Sequence, residues 1–344
     1  MELPQIEGIG RDNASIRDRA LHSEGLARAS LPYVARPPHA FYRTLIRITR
    51  LFPEITKKVP LEEVFYPDQN TYRQSSMPYL LQGREDASSV LMVSGLGVTG
   101  RSDWKAFADF LHQTTDQSVE VYSLPGHDGY WSSLVSVTAN DWYDFFTARA
   151  QALAVNGKSP IACVHSTAAT AAIVASVRHR REYGEPLFGG IIAVAPPFGL
   201  KKFKHSMGLK IVSKPVTEHP AWRGWHNMGA KFDLENVLKI NGVNGSLCCC
   251  RYLPITALVQ MDQTRNQALN SLEELIEPVL FVQGMQDRLV DPNYLKKTAS
   301  RVGSDDLSLA LLDKGRHSCM HGPSEEDFKQ LVIRWISSRA DLFL

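Results

Sequence analysis

Three residues with the chemistry of acyl transfer are spread along this chain: Ser166 in PIACVHSTAAT, Asp287 in GMQDRLVDP and His317 in KGRHS. A serine hydroxyl is a weak nucleophile until an imidazole takes its proton, and a buried carboxylate must hold that imidazole in place. Each residue also has a plainer reading. A serine at a helix start is commonly a cap, and an aspartate in a turn commonly closes the turn, as Asp291 is expected to do. His321 in HSCMHG competes with His317 but stands farther from the preceding apolar run. Ser206 in KHSMG competes with Ser166.

The elements that must position these residues decide between the readings. From about residue 88 the chain alternates apolar runs with amphipathic segments. SSVLMVSG, SVEVYSLPG, PIACV, FGGIIAVAPP, PVLFVQG and LSLALLD read as strands. SDWKAFADFLHQT, DWYDFFTARAQALAV, TAATAAIVASVRHRR, PNYLKKTASRV and EDFKQLVIRWISSR read as helices. This order predicts a mainly parallel sheet covered by helices on both faces. LEEVFYPD and MPYLLQG are expected as two further strands joined by a polar loop. Ser324-x-x-Asp327 is expected to cap the last helix.

In such a sheet, reacting groups collect at the carboxyl ends of the strands. Ser166, Asp287 and His317 each follow a strand at that edge. Ser206 follows only LKKFK, so topology favours Ser166 although its flanking letters are less typical.

With these pieces in order, residues 60–344 resemble a serine α/β-hydrolase, closest in layout to the monoacylglycerol lipase and carboxylesterase group. VSGLGVTG stands where those families have the H-G-x-x turn, and SLPGHDG resembles their D-x-P-G-H-G turn. EPVLFVQGMQDRLVDP and DKGRHS match the aspartate and histidine loops. The resemblance implies Ser166 as nucleophile, His317 as base and Asp287 as its partner. It also implies an oxyanion hole from the backbone N–H groups of Leu96 and Thr167. Val98, His165, Phe198 and Leu289 are expected at the substrate pocket, and His127 is expected to be structural.

Two departures stand out. Ser94 replaces the usual histidine before the oxyanion turn. Val164 and Ala168 replace the two glycines that flank the usual nucleophile, and the valine is expected to need accommodation by local packing.

The domain reading is an N-terminal extension over 1–59 with an amphipathic helix, a core over 60–200 and 276–344, and a helical cap insertion over 201–275. Weak membrane-surface contact is an expectation for the basic helix at 41–52.

The 344 residues are 44% hydrophobic and 22% charged with net charge +2, so no overall field points to nucleic acid. No apolar run approaches the roughly 18 residues that cross a bilayer. The N-terminal letters lack a signal-peptide pattern, and five cysteines with three adjacent do not form a disulfide framework. The expectation is a cytoplasmic enzyme without cofactor or metal that hydrolyses a small-molecule acyl ester. Two alternatives stand beside it: a thioesterase or acyltransferase with the same three residues, and a non-catalytic ligand-binding protein of this fold.

Overall fold

The computed structural model describes residues 64–85, 87–154, 157–201, 229–231 and 248–339. The extension with its 41–52 helix, most of the 201–247 stretch, and Ser206 lie outside the described residues.

The chain enters through β1 (Phe65–Tyr66). The polar letters QNTYRQSS, expected as a loop, form α1 (Gln69–Ser76) instead. Asp68 caps it by accepting the Thr71 N–H at 3.0 Å, and Tyr72 is buried on its inner face. A good cap and one inward aromatic outweigh the weak helix propensity of Asn, Thr and Ser here.

β2 (Tyr79–Leu81), β3 (Val90–Val93), α2 (Gly100–Thr115) and β4 (Val119–Tyr122) follow, then α3 (Trp131–Ser136) and α4 (Ala139–Leu153). Thr138 and Asp141 form a reciprocal capping box at the start of α4. β5 (Ile161–His165) leads into α5 (Thr167–Tyr183), and β6 (Gly190–Val194) comes next. Then come β7 (Gly229–Lys231), β8 (Cys249–Cys250), β9 (Tyr252–Pro254) and α6 (Ile255–Ser271). β10 (Val279–Gly284), α7 (Pro292–Ala299), β11 (Leu307–Leu312) and α8 (Glu325–Ser337) complete the described chain.

Seven strands form one sheet in the order β11-β10-β6-β5-β3-β4-β2. All pair in parallel except β2, which runs antiparallel to β4 at one edge. β1 pairs with β8 and not with β2, because α1 now separates the two segments that were expected to be neighbours.

Strand alternation splits the core into two clusters. Leu91, Val93, Ala162, Val164, Ile191 and Ala193 face α4, α5, α6 and α7 on one side. Val90, Met92, Ile161, Cys163, Ile192 and Val194 face α2 and α8 on the other. Central strands buried on both faces explain why their letters are continuously apolar.

One local reading changes. Ser324 precedes α8, but its hydroxyl donates to the Cys319 carbonyl at 2.9 Å and caps nothing. A 3₁₀ turn over Gly322–Ser324 runs straight into the helix and leaves no extended cap residue. Residues 255–271, placed by sequence within the insertion, form α6, which packs against α4 and α5 and puts Ala268 in the core cluster.

Candidate active site

The chain order places β3 to one side of β5 and β6 to the other, so the loops after β3 and β5 meet at the sheet's switch point. Ser166 occupies the turn between β5 and α5 with φ 52° and ψ −120°. A non-glycine residue in this region carries strain of roughly 1–3 kcal/mol, held only because the surroundings over-determine it. The Ser166 N–H donates to the Val194 carbonyl at 2.8 Å, which pins the turn to β6. The Ser166 side chain makes no helix-capping bond. Its hydroxyl instead faces His317 Nε2 at 3.1 Å.

Val164, the branched residue where glycine is usual, is fully buried beside Val93 of β3 and Ala193 of β6. Small residues absorb its bulk. α5 offers Ala168, Ala169, Ala171 and Ala172 to the same cluster, so the helix lies close to the sheet despite the valine.

His317 Nδ1 donates to Asp287 Oδ2 at 2.8 Å, completing a line from hydroxyl to carboxylate. Asp287 is fully buried, and its oxygens are well supplied with donors. Oδ1 accepts the N–H groups of Leu289 and Val290 at 2.7 and 3.0 Å, and Oδ2 also accepts from Gln283 Nε2 at 2.8 Å. Burial works to raise the Asp287 carboxyl, but the His317 charge and these hydrogen bonds outweigh it and hold the group below its ordinary value. Burial likewise works against the charged His317 ring, and the Asp287 carboxylate overcomes it, so His317 lies above the ordinary imidazole value. Gly284 lets the two loops meet, because a Cβ there would lie 2.3 Å from the backbone of Gly315 and Arg316. Lys201 donates to the Asp287 carbonyl.

The turn after β3 is held from three sides. The Gly97 N–H donates to His127 Nε2 at 2.7 Å, while His127 Nδ1 donates to the Leu124 carbonyl at 3.0 Å. His127 is therefore neutral, and burial pushes its pKa down to about 4. Ser94 donates its hydroxyl to the Val98 carbonyl at 2.8 Å, closing the turn from within. The segment at β8 brackets the outside: Cys250 N–H reaches the Gly97 carbonyl at 2.7 Å, and Thr99 N–H reaches the Cys248 carbonyl at 3.1 Å. The N–H groups of Gly97, Val98 and Ser166 are thus all engaged within the two loops.

The remaining expected residues are placed as follows. Asp291 caps α7 by accepting the Asn293 N–H at 3.0 Å and does not reach His317. His321 lies 3.7 Å from Asp103 and does not reach Asp287. Phe198, expected at the pocket, is fully buried and packs edge-on against Phe281 at 5.9 Å in the core. His165, expected there too, is buried and bonded to Asp103 at 2.8 Å. Val98 and Leu289 are half-buried, the first bridged to Cys249 and the second accepting the Lys201 N–H at 3.0 Å.

Sequence reasoning missed Asp103, Gln283 and Lys201. Asp103 carried a readable signal, since it lies four residues before Phe107 and eight before Leu111 on the buried stripe of α2. An acidic residue on an apolar stripe needs a partner. None of the five cysteines is in a disulfide, all are buried, and burial raises each thiol, Cys250 to about 12, so none is a ready nucleophile.

Among the described residues no group of acidic, histidine or cysteine side chains is arranged to hold a metal ion, and no helix is long and apolar enough to cross a membrane.

Residues 106–324 match the family model Hydrolase_4, described as serine aminopeptidase, S33. No curated protein matches the sequence. Among solved structures, the chain is similar to a lipolytic enzyme of the metagenome-derived LipS and LipT pair, with TM-score 0.61 and 16% identity over 77% of this chain and 98% of that one. It is similar to the monoacylglycerol lipase of Paleococcus ferrophilus, with TM-score 0.61 and 14% identity over 76% and 98% of the two chains. It is also similar to a soluble variant of the Saccharomyces cerevisiae monoglyceride lipase, with TM-score 0.58 and 13% identity over 76% and 91%. At these identities the likeness is one of fold, the α/β-hydrolase fold.

Proposed function

The chain belongs to the Hydrolase_4 family, serine aminopeptidase S33, and from that premise we propose that it is a serine hydrolase cleaving a carboxylic ester. The observation that carries this reading is the line Ser166–His317–Asp287, with contacts of 3.1 and 2.8 Å, built on a strained serine that caps nothing. In the proposed reaction His317 Nε2 takes the Ser166 proton as the oxygen attacks the acyl carbonyl. The N–H groups of Leu96 and Thr167 hold the oxyanion. Collapse expels the alcohol, which receives the proton back from His317, and water then hydrolyses the acyl-enzyme.

An acyl ester, monoacylglycerol-like in class, is the proposed substrate. The monoacylglycerol and monoglyceride lipases of similar fold support it, as does the described part of the insertion expected over 201–275. Its described segment at Cys248–Leu253 lies against the loop after β3, with Leu253 in contact range of Gly97. The insertion is proposed to cover the site and exclude water from the acyl-enzyme.

Turnover of p-nitrophenyl esters, matched thioesters and aminoacyl p-nitroanilides, measured side by side, tests the reaction class. Esters are expected to lead. Faster thioester or anilide cleavage would replace the ester assignment, and no turnover of any would leave a binding protein.

Two outcomes follow from the geometry. A base must be neutral to accept a proton, so activity falls as pH drops through the folded-state value of His317. Because that value is raised, the acid limb of kcat/KM is expected above the ordinary imidazole value of 6.5. A limb below that would mean that another group governs the reaction. Gly95→Ala places a Cβ 2.9 Å from the Ser166 Cβ. The turn after β3 must retreat, and ester turnover is expected to fall about a hundredfold with the fold retained. Near-normal turnover would show that this turn is not part of the reacting centre.

A further inference from the structure

Behind the three proposed reacting residues lies a second buried set that they do not account for. His165 immediately precedes Ser166 and is 2% exposed, while Asp103, on α2, is 1% exposed. His165 Nδ1 lies 2.8 Å from Asp103 Oδ2, and its Nε2 lies 3.2 Å from the carbonyl oxygen of His317 itself. The two rings, His165 and His317, have centroids 4.9 Å apart at 50°. His321 is the remaining titratable neighbour, 3.7 Å from the other Asp103 oxygen.

A neutral imidazole has one N–H and one bare nitrogen. Here both nitrogens face acceptors, a carboxylate and a carbonyl. A neutral ring beside an ionised Asp103 would leave two acceptors pointed at each other in a dry site, which is costly.

We propose that Asp103 and His165 form a charged positioning pair in which doubly protonated His165 ties the main chain of His317 to the residue next to the nucleophile. One side chain thereby sets the separation of base and nucleophile: the strand end carries the serine, and its histidine neighbour grips the loop that carries the base. Asp103 keeps both protons on the ring. Burial alone would raise the Asp103 carboxyl, but His165 and its hydrogen bond, with His321 beyond them, hold it below the ordinary carboxylate range. Neither residue touches the reacting atoms, so the effect is on geometry. An error near 1 Å between reacting groups costs about a hundredfold in rate.

This role rests on the proposed hydrolase reading, but its protonation state does not, which keeps the two separable. In the full chain labelled with 15N-histidine, and with His165 assigned by comparison with His165→Gln, both ring nitrogens of His165 are expected to carry protons at pH 7. A ring protonated on one nitrogen alone overturns the proposal, whether or not the protein hydrolyses esters.

The kinetic arm compares His165→Phe, which keeps the ring shape without donors, with His165→Gln, which keeps a donor toward the His317 carbonyl. Where both variants unfold above the assay temperature, His165→Phe is expected to lower kcat and the fluorophosphonate labelling rate between tenfold and about a hundredfold with KM little changed. His165→Gln is expected to recover most of that loss. Wild-type kcat in folded His165→Phe, or equal losses in both folded variants, contradicts the positioning role. If His165→Phe does not fold, the nitrogen spectrum of the unmodified chain decides. Absence of labelling in the wild type would sink the hydrolase reading and leave the spectrum to judge the pair.

Discussion

Ser166→Ala is expected to abolish ester hydrolysis while leaving the fold intact. The substitution removes one hydroxyl that faces His317 Nε2 at 3.1 Å and bonds nothing in its own helix. No cap is lost, and alanine is itself found at a positive φ in this chain, at Ala195. The unfolding temperature should therefore stay close to that of the wild type. Activity should not. A nucleophile that works as a unit with its base typically loses several orders of magnitude in kcat when removed, with binding largely preserved. Matched turnover by purified Ser166→Ala and wild type would remove Ser166 from the reaction.

The second large effect is expected at Asp287→Asn, and its size follows from which oxygen is lost. Asp287 Oδ1 accepts two backbone N–H groups, of Leu289 and Val290, that cannot turn away. An asparagine will place its carbonyl there, which puts its NH₂ where Oδ2 now accepts from His317 Nδ1. Gln283, the other donor to Oδ2, has its Oε1 without a partner and can rotate to accept the new N–H. His317 can accommodate the amide only by moving its own proton to Nε2. That tautomer cannot take a proton from Ser166. The expected loss in kcat is about ten-thousandfold, the size seen for the equivalent change in serine proteases, with little change in KM. A loss under tenfold in kcat would mean that Asp287 serves the turn and not the imidazole.

Much of the architecture was legible because its signals were strong and local. The central strands are continuously apolar, and α2 keeps one buried stripe with Trp104, Phe107 and Leu111. The spatial meeting of Ser166, Asp287 and His317 was legible because each letter follows a strand that must end at the same edge. What was misread lay where polar letters make different structures with equal ease. QNTYRQSS reads as a loop until Asp68 is seen to cap it and Tyr72 to anchor it. Ser324 carries the letters of a cap, yet an incoming 3₁₀ turn denies it the geometry. α6 packs on the helix layer with a stripe made of small and polar residues, Ala257, Thr264 and Ala268 among those buried, which periodicity reads weakly. The pocket residues were the least readable. Phe198 and His165 stand at strand ends where pocket residues belong, but one turns into the core and the other toward Asp103. Side-chain direction at a strand end depends on contacts from distant segments, which the local letters do not carry.

The central claim is that Ser166 is an activated nucleophile, and covalent labelling reads that property without assuming a substrate. The full chain treated with a fluorophosphonate, digested and mapped by mass spectrometry, is expected to carry one adduct, on the peptide containing Ser166. The modification should be lost in Ser166→Ala and slowed in Asp287→Asn. Folded protein that takes up no label, or an adduct on another serine such as Ser206, would contradict the account.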